Sequence, residues 1–325
     1  MTLAGMLLVV AIGFALLNGA NNGSSIVAIA TSSTSLLPLT AIALLATSLV
    51  IGPLLFGTLV AVTLSTKLLD ASGRSAEIAF LIGIVAAVAV IGLLAWRSLP
   101  SSLTLATIGG LAGSAIAARL PMNLGVVLLA IGLAVIVPLA TGLVTFGVSR
   151  SLPVLLGAVG RQGLDRRQLS WFRRLSFVLQ ALAYATNDGQ RMLAVLLVAI
   201  EAGWHSNHLS VPVDAAIAGA FAIGTVIGTG RMARGTPVQL APASTFERSL
   251  ASVMASIAAF LTSTLGVPVS MSQTTSAALV GAHTTSGKHR VRWEEAGKLL
   301  SAWAVTLPAS AALGGLGTLA VLGAR

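Results

Sequence analysis

The sequence contains no cysteine. It therefore has no disulfide framework, no thiolate metal site and no cysteine nucleophile. Charge is scarce: 9% of its 325 residues are Asp, Glu, Lys or Arg, against about 25% in soluble domains. Acidic residues are the scarcer kind, 9 against 19 Lys and Arg, for a net charge of +10. Aromatic residues make up 5%, with a single tyrosine. No Walker loop is present, which argues against ATP drive from this chain. Each of the four histidines stands far from any motif that would complete a nucleophile–base–orienter set, so an enzyme is not expected. The basic excess does not read as nucleic-acid binding either. It sits in loops between apolar runs, where membrane topology and anionic lipid headgroups account for it.

What the chain has is apolar length. Hydrophobic residues make up 56% and the mean hydropathy is +0.95. Several apolar runs reach 18 residues or more, the signature of an all-α polytopic membrane protein. The runs are continuous rather than alternating, which argues against a β-barrel. The 34 glycines let helices approach closely. Residues 1–20 are apolar enough for a signal peptide, but the first Lys or Arg is Lys67. Without a positive n-region, 1–33 is expected to belong to the membrane fold.

Residues 3–17 are apolar and are interrupted by Asn18-Gly-Ala-Asn-Asn-Gly-Ser-Ser25. Spans are expected at 39–64, 77–96 and 123–148. Between the last two, residues 100–118 open with Pro100 and are rich in Ser, Thr and Gly, which suits a re-entrant hairpin buried in protein. Residues 149–174 carry Arg150, Arg161, Arg166, Arg167, Arg173 and Arg174 against Asp165 alone, so they are expected to form a cytoplasmic loop. The second half follows the same order. An apolar stretch at 175–200 is interrupted at Thr186-Asn-Asp-Gly-Gln190, spans follow at 212–229 and 249–265, Pro268 opens a second polar segment to about 286, and a last span covers 299–323.

Two motifs recur at nearly one offset. Asn21-Asn22-Gly23 matches Asn187-Asp188-Gly189, and Pro100-x-Ser102-x-Thr104 with Leu111-x-Gly113 matches Pro268-x-Ser270-x-Ser272 with Leu279-x-Gly281. The expected organisation is a first membrane repeat at 1–148, the basic loop at 149–174 and a second repeat at 175–325. Corresponding interruptions in two halves point to a transporter site at the repeat interface. If 1–33 and 175–200 are re-entrant or broken, each half keeps three crossings and two hairpins. An odd number inverts one half relative to the other. With the central loop inside, twelve Lys and Arg then fall inside and six outside, Arg248 among the latter, and both termini lie outside. A full crossing by 1–33 would instead make the halves parallel.

Within this frame Asp188 and Arg191 stand at membrane depth. A charge at the bilayer centre costs at least ~2.5–3.5 kcal/mol on insertion scales, so such residues are functional candidates. Asp188 could bind a cation or carry a proton, and an ion pair with Arg191, one turn on, explains the same residues structurally. Arg191 could bind an oxyanion through paired hydrogen bonds. Asn21 and Asn187 could offer a carbonyl to a cation or an amide to an anion, or else cap an interrupted helix. Ser102, Thr104, Ser270 and Ser272 follow a hairpin-opening proline, where hydroxyls and free N–H groups can converge on an anion; bonding back to the preceding turn is the alternative. Thr274, Thr275 and Ser276 are weaker candidates. His205, His208, His283 and His289 match no metal-ligand spacing and are expected to be solvated. Met192, Met232, Met254 and Met271 are expected to pack, and Glu294-Glu295 to be solvated charges opening the last span.

These motifs resemble the inorganic phosphate transporter (PiT) family, which includes phosphate and a few sulfate permeases. Gly19-Ala-Asn-Asn-Gly-Ser-Ser25 is similar to the family's first Gly-x-Asn-Asp signature, and Ala185-Thr-Asn-Asp-Gly-Gln-Arg191 to its second. Leu99-Pro-Ser-Ser-Leu-Thr-Leu105 and Val267-Pro-Val-Ser-Met-Ser-Gln273 resemble its two hairpin motifs. The resemblance covers nearly the whole chain. It implies an inverted-repeat fold with broken helices and re-entrant hairpins, and a secondary active transporter of inorganic phosphate, coupled to Na⁺ or H⁺, working by alternating access. The implied substrate ligands are Arg191, Asn21, Asn187, Ser25, Ser102, Thr104, Ser270 and Ser272. The implied cation ligands are Asp188, Asn22, Asn187 and Asn21, with no cofactor and no metal beyond a possible Na⁺.

The chain departs from the family pattern at Asn22, where the family has Asp, and at Ser25, where it usually has Asn. Leu103 and Leu105 replace a hydroxyl residue and a His, and Gln273 takes a His position. Each change removes a charge or a ligand and marks a divergent member. The alternatives are a sulfate permease and a non-transporting membrane sensor or assembly component. The expected setting is the cell membrane, with phosphate or sulfate and lipids as partners and a homodimer as an option.

Overall fold

The computed structural model describes residues 2–31, 36–69, 72–97, 101–157, 165–204, 211–229, 243–285 and 291–323. Pro100, Arg161, His205, His208, Arg231, Met232, Arg234, Lys288, His289, Arg290 and Arg325 lie outside the described residues. Among the described residues the fold is all-α, with one isolated bridge between Leu69 and Met122.

The helices are α1 (Leu3–Asn18), α2 (Ser24–Thr31), α3 (Pro38–Phe56), α4 (Leu59–Val62), α5 (Arg74–Trp96), α6 (Leu103–Ala117) and α7 (Leu124–Gly157), then α8 (Arg166–Tyr184), α9 (Gln190–Trp204), α10 (Val211–Thr229), α11 (Thr245–Thr264), α12 (Met271–Thr284) and α13 (Trp293–Leu322). Six described helices are long and apolar enough to cross a membrane: Leu3–Thr31, Pro38–Phe56, Arg74–Trp96, Leu124–Ser151, Pro212–Thr229 and Ala296–Leu322. Their surfaces are apolar. Leu128, Leu129, Val135, Ile136, Leu139 and Leu143 of α7 are all exposed, while Asn18, Asn22, Thr104, Asn187, Asp188 and Arg191 are buried. This is the distribution a lipid solvent selects, with ionisable groups turned to the interior.

The interruptions at 18–25 and 185–190 are not gaps. Gly19–Gly23 and Ala185–Gly189 are π-helical turns that join α1 to α2 and α8 to α9 without leaving the helix. Asn, Asp and Gly are poor helix formers, and here that weakness widens one turn instead of ending the helix. The stretch expected to be re-entrant at 1–33 is thus one 29-residue helix, Leu3–Thr31, about 43 Å at 1.5 Å per residue. The basic loop expected over 149–174 is also narrower. α7 continues to Gly157, and Asp165 starts α8 with a capping box closed by Gln168. Arg166, Arg167 and Arg174 are exposed on α8, whereas Arg173 is buried.

Packing is reciprocal between the two halves. α6 lies against α13 and α12 against α7, each with backbones in contact. A Cβ on Gly113 would stand 2.0 Å from the Ala311 carbonyl oxygen, and one on Gly281 would stand 2.1 Å from that of Gly142. Only glycine allows either approach. The π turn Gly19–Gly23 packs on α10, and Ala185–Gly189 packs on α3.

Several contacts fix which helix ends share a face. The buried Arg173 guanidinium, near the start of α8, donates to the Ala30 carbonyl at the end of α2. Glu247, in the first turn of α11, pairs with His283 at the end of α12. Ser149, near the end of α7, donates to the Ala282 carbonyl at 3.2 Å. Arg248 lines one cavity with Arg173. This corrects the expected topology, which set Arg248 and the central loop on opposite faces. The correction follows from α8–α9 running continuously from Arg166 to Trp204 instead of turning back. On the other face, the Leu69–Met122 bridge joins the chain after α4 to the start of α7.

Candidate functional site

Asp188 closes the second π turn and is 0% exposed; Arg191, in the first turn of α9, is 1% exposed. The two form an ion pair through Asp188 Oδ1 and Arg191 Nη2. The other carboxylate oxygen, Oδ2, accepts a hydrogen bond from the Met271 backbone N–H at 3.2 Å, at the N-terminus of α12. Arg191 Nη1 donates to Thr104 Oγ1 at the start of α6. One buried pair thus joins the two short helices that follow the polar segments of each half. The positive end of α12 adds to the compensation of the carboxylate.

Asn187, one residue earlier, is a complete anchor. Its Nδ2 donates to Thr262 Oγ1 and Ser263 Oγ, each at 3.2 Å, and its Oδ1 accepts from the Val269 N–H at 2.9 Å. These bonds hold the extended stretch before α12. Asn21 plays the matching part in the first half with fewer bonds. Its Nδ2 donates to Ser101 Oγ at 3.1 Å, just before α6, and lies 3.4 Å from Asn22 Oδ1. Tyr184, which precedes the second π turn, donates its hydroxyl to Asn18 Oδ1 at 2.8 Å, just before the first.

Asn21, Asn22, Thr104, Asn187, Asp188 and Arg191 all belong to this buried web around the π turns and short helices. Four hydroxyl candidates have local partners. Ser25 donates to the Asn21 carbonyl at 2.8 Å, Ser102 caps α6 by accepting from the Leu105 N–H at 3.3 Å, and Ser270 and Ser272 bond each other at 3.0 Å. Thr274 and Ser276 bond back to the Ser270 and Ser272 carbonyls, and Thr275 accepts from Gln180. His283 is corrected. It is buried on α12 rather than solvated in a loop, and its Nδ1 lies 3.2 Å from Glu247 Oε1, a partner 36 positions away that spacing could not indicate. Met192 and Met271 pack in the core, and Glu294 is exposed beside Lys298 at 3.0 Å.

Gln190 of the second signature is buried and bonded through both its side-chain oxygen and its nitrogen. Its Oε1 accepts from the N–H groups of Val60 and Ala61 at 2.8 and 3.1 Å, and its Nε2 donates to the Gly57 carbonyl at 2.8 Å. It therefore caps α4 from the other half, and its polar burial in the signature was the available signal. Among the described residues, Arg191 Nε, Asn18 Nδ2 and Asn22 Nδ2 are buried donors with no hydrogen-bond partner, and Gln273 Oε1 is a buried acceptor with none. Unused donors beside an arginine suit an anion rich in acceptors. No group of three His, Cys, Asp or Glu arranged for a metal occurs among the described residues.

A family model described as the phosphate transporter family matches residues 18–314. A protein of Mycobacterium bovis named a probable low-affinity inorganic phosphate transporter is 32% identical over 95% of this chain and 75% of its own length. Proteins of the same name from Rhizobium meliloti and Bacillus subtilis are each 27% identical, over 95% and 96% of this chain and 94% and 95% of their own lengths. A solved structure described as a sodium-dependent phosphate transporter superposes with a TM-score of 0.80 over 100% of both chains at 17% identity, a likeness of fold. The family and these relatives are transporters, not enzymes. With residues 18–314 matched by the family model and a named relative 32% identical over nearly the whole chain, this multi-pass membrane protein belongs to the phosphate transporter family.

Proposed function

We propose that the protein is a secondary active transporter of inorganic phosphate, coupled to a cation, with its site at the Asp188–Arg191–Thr104 junction. The observation that carries this is the buried pair itself. Arg191 is held by Asp188 and Thr104 yet keeps an unused Nε–H. Phosphate that draws Arg191 to itself leaves Asp188 buried without its counter-charge, a situation worth about 3–5 kcal/mol when one partner of such a pair is removed. A cation taking the place of Arg191 at Asp188 removes that cost. Substrate and cation then bind together because each makes room for the other. Na⁺ is the favoured cation by likeness to the sodium-dependent relative, with H⁺ as the alternative. Asn21, Asn22 and Asn187 orient the site, and Ser25, Ser102, Ser270 and Ser272 become anion ligands when their local bonds open.

The halves, 1–148 and 175–325 about the basic segment 149–174, are read as inverted repeats. Reciprocal packing of α6 on α13 and α12 on α7 supports a two-fold relation. With α1–α2 and α8–α9 as full crossings and the short helices completing one each, every half traverses five times. That odd number inverts the second half. The charge bias agrees. Of the described Lys and Arg outside the buried site, Arg97, Arg150, Arg166, Arg167, Arg173, Arg174, Arg248, Arg292 and Lys298 fall on the face of the central segment, against Lys67, Arg74 and Arg119 opposite. Rocking of the halves about the buried pair would give alternating access.

Counterflow of labelled phosphate in proteoliposomes, with Na⁺ and H⁺ gradients applied separately and sulfate as competitor, tests this reading. Phosphate uptake driven by one gradient is expected. No flux under any gradient defeats the transporter assignment in favour of a sensor, and preference for sulfate reassigns the substrate.

A further inference from the structure

Away from the buried pair, a narrow cleft opens between the end of α2, the start of α8 and the start of α11. Two guanidinium groups, Arg173 and Arg248, line it with Ser176, Gln180, Ser249 and Ser252, and no Asp or Glu does. Among the described residues neither arginine forms an ion pair. Arg173 is anchored on the Ala30 carbonyl, and Arg248 Nε on that of Ala243 at 2.9 Å. Arg248 Nη1 is buried with no hydrogen-bond partner. Two guanidinium groups anchored on carbonyls and fronted by hydroxyls, with the Glu247 carboxylate beside Arg248 but outside the lining, have the donor set of a tetrahedral oxyanion site. The matching positions of the first half do not repeat its polar lining. Positions 166 earlier than Arg173, Ser176 and Gln180 are Leu7, Val10 and Phe14.

We propose that this cavity is a second oxyanion site, an antechamber for a phosphate group on the face where α7 ends and α8 begins. The link to the first site is short. Gln180 lines the cavity and donates to Thr275 at 3.3 Å, one turn along α12 from Met271, whose N–H holds Asp188. The proposal rests on the transport reading only for the direction of traffic. A free phosphate ion and the phosphate of a lipid headgroup share the chemistry that fits.

Equilibrium binding of radiolabelled phosphate to the purified full chain in lipid-free detergent tests it. Wild type is expected to bind two phosphates. R248Q is expected to weaken one of them about ten- to hundredfold, the worth of lost charge-assisted bonds, while R248K retains both. R191Q is expected to remove the other, and two phosphates in R191Q would defeat the transport-site reading without touching this one. A single phosphate in wild type that survives R248Q overturns the antechamber, as does equal loss in R248Q and R248K. If R248Q does not purify as monodisperse protein, S252A is expected to weaken the same phosphate several-fold, and no change there is equally fatal. Nanodiscs with and without phosphatidic acid separate the sources: loss of one phosphate on adding that lipid assigns the cavity to a headgroup, and no loss assigns it to the free ion.

Discussion

Replacing Asp188 by Asn isolates the coupling step. In the wild type, phosphate must win Arg191 from a carboxylate that is 0% exposed and keeps only the Met271 N–H. Stranding that carboxylate costs about 3–5 kcal/mol. At about 1.4 kcal/mol per factor of ten, phosphate affinity without a coupling cation should fall by about two to three and a half powers of ten, and a bound cation should restore it. The amide of D188N has no charge to strand. Its phosphate KM should therefore be nearly the same with and without the cation gradient, while Thr104 and Arg191 remain to hold the anion. The assay is initial-rate phosphate uptake in proteoliposomes across a cation series, with wild type and D188N reconstituted at equal density. A cation dependence of wild-type size in D188N would refute the reasoning. So would complete loss of phosphate binding in D188N with the fold intact, because that makes Asp188 a ligand of the anion and not its competitor.

Other substitutions test the supporting structure. R191Q leaves Asp188 without its counter-charge and should lower the melting temperature, and adding D188N should recover most of the loss, a non-additive cycle read by thermal unfolding in detergent. Q190A strands the Val60 and Ala61 N–H groups and the Gly57 carbonyl, at about 1–3 kcal/mol for each stranded group, and hydrogen exchange should quicken at Val60 and Ala61 first. G113A should destabilise by forcing α6 off α13, since its Cβ meets the Ala311 oxygen at 2.0 Å, whereas G147A, with nothing within 4 Å, should be neutral or slightly stabilising in the same melting assay.

The spans were legible because lipid contact demands unbroken apolar stretches, and α5, α7 and α13 fall close to where hydropathy sets them. The paired signatures were legible because two motifs recur at nearly one offset, and Asp188 and Arg191 because charge at depth is costly. The form of the interruption was not legible. Asn, Asp and Gly weaken a helix whether the result is a gap or a wide turn, and packing of Ala185–Gly189 on α3 decides between them. That difference carried the topology with it, since a helix that stays whole crosses the bilayer and brings Arg248 to the side of Arg173. Gln190 with Gly57 and Val60, and His283 with Glu247, were hidden for another reason: their partners are supplied by tertiary contacts with no trace in local spacing.

The hydrogen bond from Tyr184 to Asn18 joins positions 166 apart, the same interval that separates the two signatures. In the proposed inverted-repeat arrangement, residues that occupy matching places and touch each other sit on the dyad relating the halves. A dyad imposes a rule on chemistry there, because whatever one half presents meets its own counterpart. Two tyrosines would crowd, and two asparagines would leave the gap a phenol ring fills. The present pair escapes by being unlike, one giving the proton and the other taking it. In that arrangement the symmetry is broken at its centre. A chain assembled from two copies of either half should lose this bond and, with it, the seam that sets the two wide turns against each other.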